Sequence, residues 1–469
     1  MTSPIRYLSA VKLASLIRSK KISPFEVMKE TLNTINAVNP KVNAFVFIDA
    51  DGALREARRV TEEIAAGKRK GPLAGIPLGV KDLEDVKGMV TSFGSVPFKD
   101  NVAVTDSVQV ARLREAGAIM VGKTNTPEFG STGFTKNRLF GITRNPWNLE
   151  KTPGGSSGGS AAAVVAGMIS LATGSDGGGS VRIPASYSGC YGLKTSAGRI
   201  PMGPLPMLHM NPIAVLGPLT RTVEDAALFL DCVAGYHPAA PESLPRPEYS
   251  YLKILNNLPR SLNIAFSPTL GYATVQNDVI ACIEKSVKAF EEMGHRIVRL
   301  EEKFPNVVNA WSKLFSLNIY GMLSDNLDTH GPEMGKALVY SLEDIKKLTM
   351  ADLVEAQKTR TEQNNMLWNL FDQFDLLLTP TMPSEAFAAE GPPPTHINGT
   401  PIHILDVVAF TYPFNLSGHP AASVPAGFTK SGMPIGLQIV GPRLRDDLVL
   451  QASQAYERVR PWNDRWPEV

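Results

Sequence analysis

KTPGGSSGGSAAAVVAGMISLATGSDGGGSVRIP, residues 151–184, sets two serine–glycine clusters at the ends of a run of small apolar residues. Ser156 and Ser180 stand 24 residues apart, each among glycines. Glycine lets a backbone come close to a ligand and adopt angles that other residues avoid. Gly177, Gly178 and Gly179 lead straight into Ser180. Such a run can turn several free N–H groups onto one oxygen, which is what stabilising an oxyanion requires. The pattern makes Ser180 a candidate nucleophile and leaves its base to be found. A flexible linker would lack the embedded run Ala161–Ala172, which reads as a buried helix packed at close range.

Outward from this stretch the chain alternates helices and short apolar strands. Ser23-Pro24-Phe25-Glu26 is a helix start, with Ser as cap, Pro at the first position and Glu three residues after the cap. Helical patterns follow over 51–68, 107–116, 279–293 and 351–371. Strands are predicted at 76–80, ending at Lys81-Asp82, and at 118–121, 262–266, 296–300 and 376–378. This alternation argues for an α/β fold with a mostly buried sheet. Pro- and Gly-rich segments at 237–247 and 391–401 read as surface loops.

Composition narrows the function. The 469 residues are 43% hydrophobic and 20% charged, an ordinary globular balance for one large or two fused domains. A net charge of +2 without a Lys/Arg block gives no support to nucleic-acid or membrane-surface binding. Cys190, Cys232 and Cys282 are odd in number and widely spaced, so they suggest buried thiols in a reducing cytosol. The N-terminus has no signal-peptide h-region. Ala161–Ala172, the longest apolar run, is shorter than the roughly 20 residues that span a bilayer.

Three motifs compete for the chemistry. Gly117 to Thr124 is a literal GxxxxGK[ST], but its middle residues 118–121 read as strand and Pro127 opposes a following helix, so a phosphate loop is disfavoured. Gly154-Gly155-Ser156-Ser157-Gly158 matches GxSxG, yet turn-like residues precede it where a nucleophile elbow needs a strand. None of the seven histidines stands in a context that marks a base, and no His/Cys/acid cluster marks a metal site. Lysine is the third choice. A buried lysine can be neutral, and Lys81 ends an apolar strand where its side chain can enter a closed site. For an isolated lysine, capping the strand end in solvent is the favoured reading; the two serine clusters reverse it in favour of the base.

GIPLGVKD around Lys81, GGSSGGSAA around Ser156 and DGGGSVRIPAS around Ser180 together resemble the amidase signature family. GKTNTPEFG (122–130), YGLKTSAGRIP (191–201), NLSGHPAASVPAG and MPIGLQIVGP extend the resemblance over nearly the whole chain. It implies an α/β/α sandwich on a large mixed central sheet, as a single amidase domain over 1–469. Within that domain, 1–70 would be a helical segment, 71–235 the signature core, and 236–469 the remainder with the pocket cover. It also implies a Ser–cis-Ser–Lys triad with no metal and no cofactor. Carried over by position, Ser180 attacks the carbonyl and Ser156 bridges, its peptide with Gly155 in the cis form. Lys81 takes the proton through Ser156 and returns it to the leaving nitrogen. The N–H groups of Gly177, Gly178, Gly179 and Ser180 form the oxyanion hole. Gly130 and Ser131 fall where relatives meet the substrate. Ser157 joins the hydrogen-bond network, while Asp176 and Arg182 pair to fix the loop.

The glutaminase subunit of the tRNA-dependent amidotransferase, one member of that family, holds its amino acid with an aspartate and an arginine. Val408 stands at the aspartate position here, and 334–353 has no corresponding arginine segment. Gly177 after Asp176 looks more like arylamidases, nylon-oligomer hydrolases and urethanases. The resemblance therefore implies a cytoplasmic hydrolase of small acyl or aryl amides such as anilides, with esters and carbamates as further substrates, working through an acyl-enzyme. The alternatives are a glutaminase-type subunit or a dedicated urethanase. Its partners would be a small amide or carbamate and, at most, a second copy in a homodimer. The segment 200–216, with three Met and four Pro, reads either as a pliable pocket wall or as a packed loop.

Overall fold

The computed structural model describes residues 5–68, 71–204, 212–301 and 303–469. Its centre is one mixed sheet of eleven strands. In chain order these are β1 (Phe45–Ile48), β2 (Pro77–Lys81), β3 (Ile119–Thr124), β4 (Leu171–Asp176), β5 (Tyr191–Lys194) and β6 (Val215–Thr220). β7 (Asn263–Phe266), β8 (Arg296–Arg299), β9 (Leu376–Pro380), β10 (Ala421–Phe428) and β11 (Pro434–Val440) complete it. The spatial order is β1-β3-β2-β4-β6-β5-β10-β11-β9-β7-β8. β3, β2 and β4 run parallel to one another, as do β9, β7 and β8.

Both faces of the sheet are covered, which is why its strands read as continuous apolar runs rather than alternating ones. Successive residues of β3 serve opposite layers: Ile119 and Val121 enter one core cluster, Met120 the other. One layer packs Met28, Ile35, Ala57 and the alanines 161–163. The other holds Leu13, Val110, Phe229, Ile283 and Phe290. The expected α/β/α arrangement around a large mixed sheet is what the chain adopts.

Local signals formed where the sequence placed them. Ser23 caps the helix Pro24–Val42 in a full capping box with Glu26, and Ser107 caps Val108–Glu115. The run Ala161–Ala172 is a correction: it is not one helix. The helix Gly158–Val165 ends, Gly167 turns in the left-handed region at φ 75°, and Leu171 already belongs to β4. Composition is apolar on both sides of that turn, so hydrophobicity alone could not divide them. Among the cysteines, all free, Cys190 is buried while Cys232 and Cys282 are only half-buried. No helix among the described residues is long and apolar enough to cross a membrane.

The parallel pair β2 and β4 positions the site. Leu78 pairs with Leu171 and Gly79 with Ala172, so Lys81 and Asp176, the last residues of the two strands, emerge at the same end of the sheet. Loops beyond the carboxyl ends of parallel strands are the usual place for ligands in open α/β sheets.

Candidate active site

Lys81 is fully buried. Its backbone N–H donates to Thr173 Oγ1 at 3.0 Å, which holds the strand end against β4. Its Nζ donates to Ser156 Oγ at 2.7 Å and lies 2.9 Å from Ser175 Oγ. Burial pulls Lys81 down to about 7, against Glu84 and Asp176, whose charges raise it. An amine titrating there is neutral for much of the time at neutral pH and so can accept a proton. The solvent-facing alternative for this lysine does not occur.

Ser156 follows a cis peptide with Gly155, and it is buried against Lys81. Ser157 sits one residue on. Its N–H donates to the Ser180 carbonyl at 3.1 Å and its Oγ to the Ser175 carbonyl at 3.3 Å. The two serine clusters, 24 residues apart in sequence, are thereby locked side by side. Ser180 is half-exposed and lines the same cavity as Ser156 and Ser175. Among the described residues the Ser180 hydroxyl makes no hydrogen bond to the protein, so the Ser156–Ser180 step of the relay is an adjacency rather than a formed bond.

The loop into Ser180 is held from outside. Asp176 and Arg182 are both fully buried and paired, Arg182 Nη2 to Asp176 Oδ1 at 2.9 Å and Nε to Oδ2 at 3.0 Å. Burial pushes the Asp176 carboxyl up, yet the Arg182 charge and hydrogen bonds hold it well below the usual carboxylate range. Asn415 Nδ2 also donates to Asp176 Oδ1, at 2.9 Å, and Arg182 reaches Gln438 Oε1 at 2.7 Å. Trp311 Nε1 donates to the Gly177 carbonyl at 2.7 Å, and Thr411 Oγ1 to the Gly178 carbonyl at 2.6 Å. In a trans peptide C=O and N–H point in opposite directions. Pinning the Gly177 carbonyl on Trp311 therefore turns the Gly178 N–H away from it.

The four-donor oxyanion hole needs one correction. The Gly179 N–H donates to Asp176 Oδ1 at 2.8 Å, with Gly179 at φ +127, a conformation that favours glycine. Its donor is taken up in holding the loop. Those of Gly177, Gly178 and Ser180 have no protein acceptor among the described residues.

Two apolar cavities meet at Ser180, which both share with Gly130 and Phe315. The inner one, about 80 Å³, includes Ser156, Glu84, Phe93, Phe129 and Met322. The outer one, about 480 Å³, includes Ser131, Phe134, Trp311, Phe387 and Val408. Val408, at the position expected to carry an aspartate in the glutaminase subunit, faces an apolar wall. Of the 200–216 segment, Met202, Gly203, Ala214 and Leu216 line the inner cavity, while 205–211 lie outside the described residues.

The competing motifs serve the fold instead. Lys123 and Thr124 are strand residues, fully buried. Lys123 Nζ pairs with Asp82 Oδ1 at 3.1 Å and donates to Thr91 Oγ1 at 2.9 Å, which leaves no phosphate loop. No described histidine lines either cavity, and no group of His, Cys and acids suited to a metal occurs among the described residues. Sequence reasoning missed Ser175, Glu84, Trp311, Phe315 and Thr411. The last three are brought in from more than 130 residues away, and nothing in their local context marks them.

A large mixed α/β sheet with a buried lysine and two serines gathered at the ends of its central strands defines the class, hydrolases of carbon–nitrogen bonds. The family model for Amidase matches residues 26–450, and the chain belongs to that family. An acylamidase of Rhodococcus erythropolis is 40% identical over 470 residues, 99% of this chain and 98% of that protein. A glutamyl-tRNA(Gln) amidotransferase subunit from a Cyanothece strain is 36% identical, over 96% of this chain and 98% of its own. Among solved structures, a bacterial aryl acylamidase superposes with a TM-score of 0.93 at 33% identity, covering 98% of both chains. A 6-aminohexanoate cyclic dimer hydrolase reaches 0.89 at 31% identity, covering 99% of both.

Proposed function

We propose that this chain, as one amidase domain acting in the cytoplasm, hydrolyses carboxamides with an apolar acyl or aryl body through an acyl-enzyme on Ser180. The observation that carries the reading is the buried Lys81 amine, lowered to about 7 and bonded to Ser156 beside Ser180. Ser180 Oγ attacks the carbonyl carbon as its proton passes to Ser156 Oγ and the Ser156 proton to Lys81 Nζ. Charge then develops on the carbonyl oxygen, where the Gly177, Gly178 and Ser180 N–H groups stabilise it. The C–N bond breaks as the proton returns through Ser156 to the leaving nitrogen. Water, activated by the same relay, frees Ser180.

The acylamidase and aryl acylamidase relatives support amides as the substrate class, and we extend the reading to anilides, esters and carbamates. Glutamine-dependent amidotransfer is the second reading, favoured by the amidotransferase relatives. Apolar Val408 and its neighbours oppose it, since they leave the charged ends of a free amino acid unpaired. The test is a panel of N-alkyl benzamides, acyl anilides, aryl carbamates and glutamine on the purified protein. Turnover of benzamides or anilides is expected, abolished in Ser180→Ala and in Lys81→Ala. Unchanged rates in either variant would sink the mechanism, and ammonia release from glutamine alone would favour the second reading.

A further inference from the structure

Phe315 stands at the junction of the two cavities. Apart from Ser180 it is the only side chain among the described residues that lines both, Gly130 having none. Its ring also packs against two separate apolar clusters. One holds Ile183, Trp311 and Val408 of the outer wall, the other Phe93, Phe129 and Ile319 of the inner wall. The ring is held in place from behind. It stacks on Trp311 with centroids 5.4 Å apart, and Trp311 stacks on Tyr412 at 5.2 Å. Trp311 is itself fixed to the Gly177 carbonyl. On the nucleophile side, a Cβ at Gly177 would meet Phe315 Cε2 at 2.4 Å, so the missing side chain is what admits the ring so close to the loop.

The chemistry decides which arm of the amide meets the smaller space. In the steps above the leaving nitrogen takes its proton from Ser156 Oγ, and Ser156 lines the inner cavity and not the outer one. The nitrogen and its substituent therefore face inward, and the acyl body lies in the outer cavity. The outer space is about 480 Å³ and the inner about 80 Å³. An apolar cavity that accepts benzene measures ~150 Å³, so the inner space suits a small group and not a ring.

We infer that Phe315 is a specificity-determining residue that reserves the inner cavity for small amine leaving groups, making primary and short N-alkyl amides of bulky apolar acids the preferred class. This rests on the amidase reading above and adds which arm of the amide is restricted. A ring on nitrogen has to displace Phe315, which breaks its stack on Trp311 and disturbs the loop that carries the oxyanion donors. Overfilling a packed site is costly, whereas the same ring on the carbonyl carbon finds room in the outer cavity. Anilides are disfavoured for the same reason, by the ring they carry on nitrogen.

The experiment uses a pair of isomers, N-methylcyclohexanecarboxamide and N-cyclohexylacetamide, in which ring and methyl group exchange sides of the amide. Their amines are of similar basicity, and a ring beside the carbonyl hinders attack in solution, so a preference for the first isomer has to come from the protein. The readout is the ratio of kcat/KM for the pair in wild type, Phe315→Leu and Phe315→Ala, so any common effect on the loop cancels. Wild type is expected to favour N-methylcyclohexanecarboxamide by roughly tenfold or more. Phe315→Leu narrows that ratio, and Phe315→Ala brings it to about one by speeding the N-cyclohexyl isomer. A wild-type ratio near one, or inverted, overturns the inference without any variant. A ratio undiminished in both variants overturns it too, by placing the selection elsewhere. Absence of turnover of every amide in wild type is a different result and refutes the amidase reading itself.

Discussion

Replacing Lys81 by methionine separates what the buried amine costs the fold from what it does for the reaction. Lys81 titrates at about 7 rather than its ordinary 10.5 because burial strips water from the ammonium. The two values differ by about 3.5 pH units, and at 1.36 kcal/mol each this is a penalty of roughly 5 kcal/mol for charging the buried group. Below pH 7 both the folded and the unfolded chain carry that proton, and the whole penalty applies. Between about 7 and 10.5 the unfolded chain binds a proton that the folded one has released, so wild-type stability gains about 1.4 kcal/mol per pH unit from this residue. Methionine has nearly the same length, no charge and no such dependence. It also forfeits the contacts to Ser156 and Ser175, each about 0.5–1.5 kcal/mol. Lys81→Met is therefore expected to be more stable than wild type by a few kcal/mol at pH 6. That advantage should shrink steadily as the pH rises through 7 toward 10.5. Urea unfolding at a series of pH values measures it. The same titration predicts that wild-type kcat/KM rises with pH through an inflection near 7, and that Lys81→Met loses on the order of 10²–10⁴ in rate. A stability difference independent of pH, or a rate profile without an acid limb near 7, would refute the assignment of Lys81 as a buried neutral base.

Other consequences follow from the packing around the nucleophile loop. Arg182→Met leaves Asp176 a buried, unpaired charge and is expected to cost about 3–5 kcal/mol in chemical denaturation; a loss below about 1 kcal/mol would show that Asn415 and the backbone donors suffice. Trp311→Phe keeps a ring in place but orphans the Gly177 carbonyl, so kcat should fall more than KM changes, with about 1–3 kcal/mol lost in stability. At Gly177 an added Cβ would meet Phe315 Cε2 at 2.4 Å. Gly177→Thr should therefore push Phe315 from the wall shared by both cavities, raising KM for bulky amides and lowering Tm; unchanged kinetics would mean that Phe315 does not shape the site.

Much of this protein was legible in one dimension. Caps at Ser23 and Ser107, the buried strands around Lys81 and Lys123, and the glycine-rich approach to Ser180 are local signals whose physics acts within a few residues. The boundary inside Ala161–Ala172 was not, because a helix and a strand that are both buried share one composition. The sequence by itself determined which residue types could do the chemistry: two serines, one lysine and a run of backbone donors. Only the tertiary structure decided that Lys81 is dry enough to be drawn down to about 7, since desolvation comes from residues folded over it and has no local code. The tertiary structure likewise brought Trp311 and Thr411 to the carbonyls of the loop before Ser180. Those two contacts join residues 134 and 233 positions apart in the chain, so no local pattern encodes them.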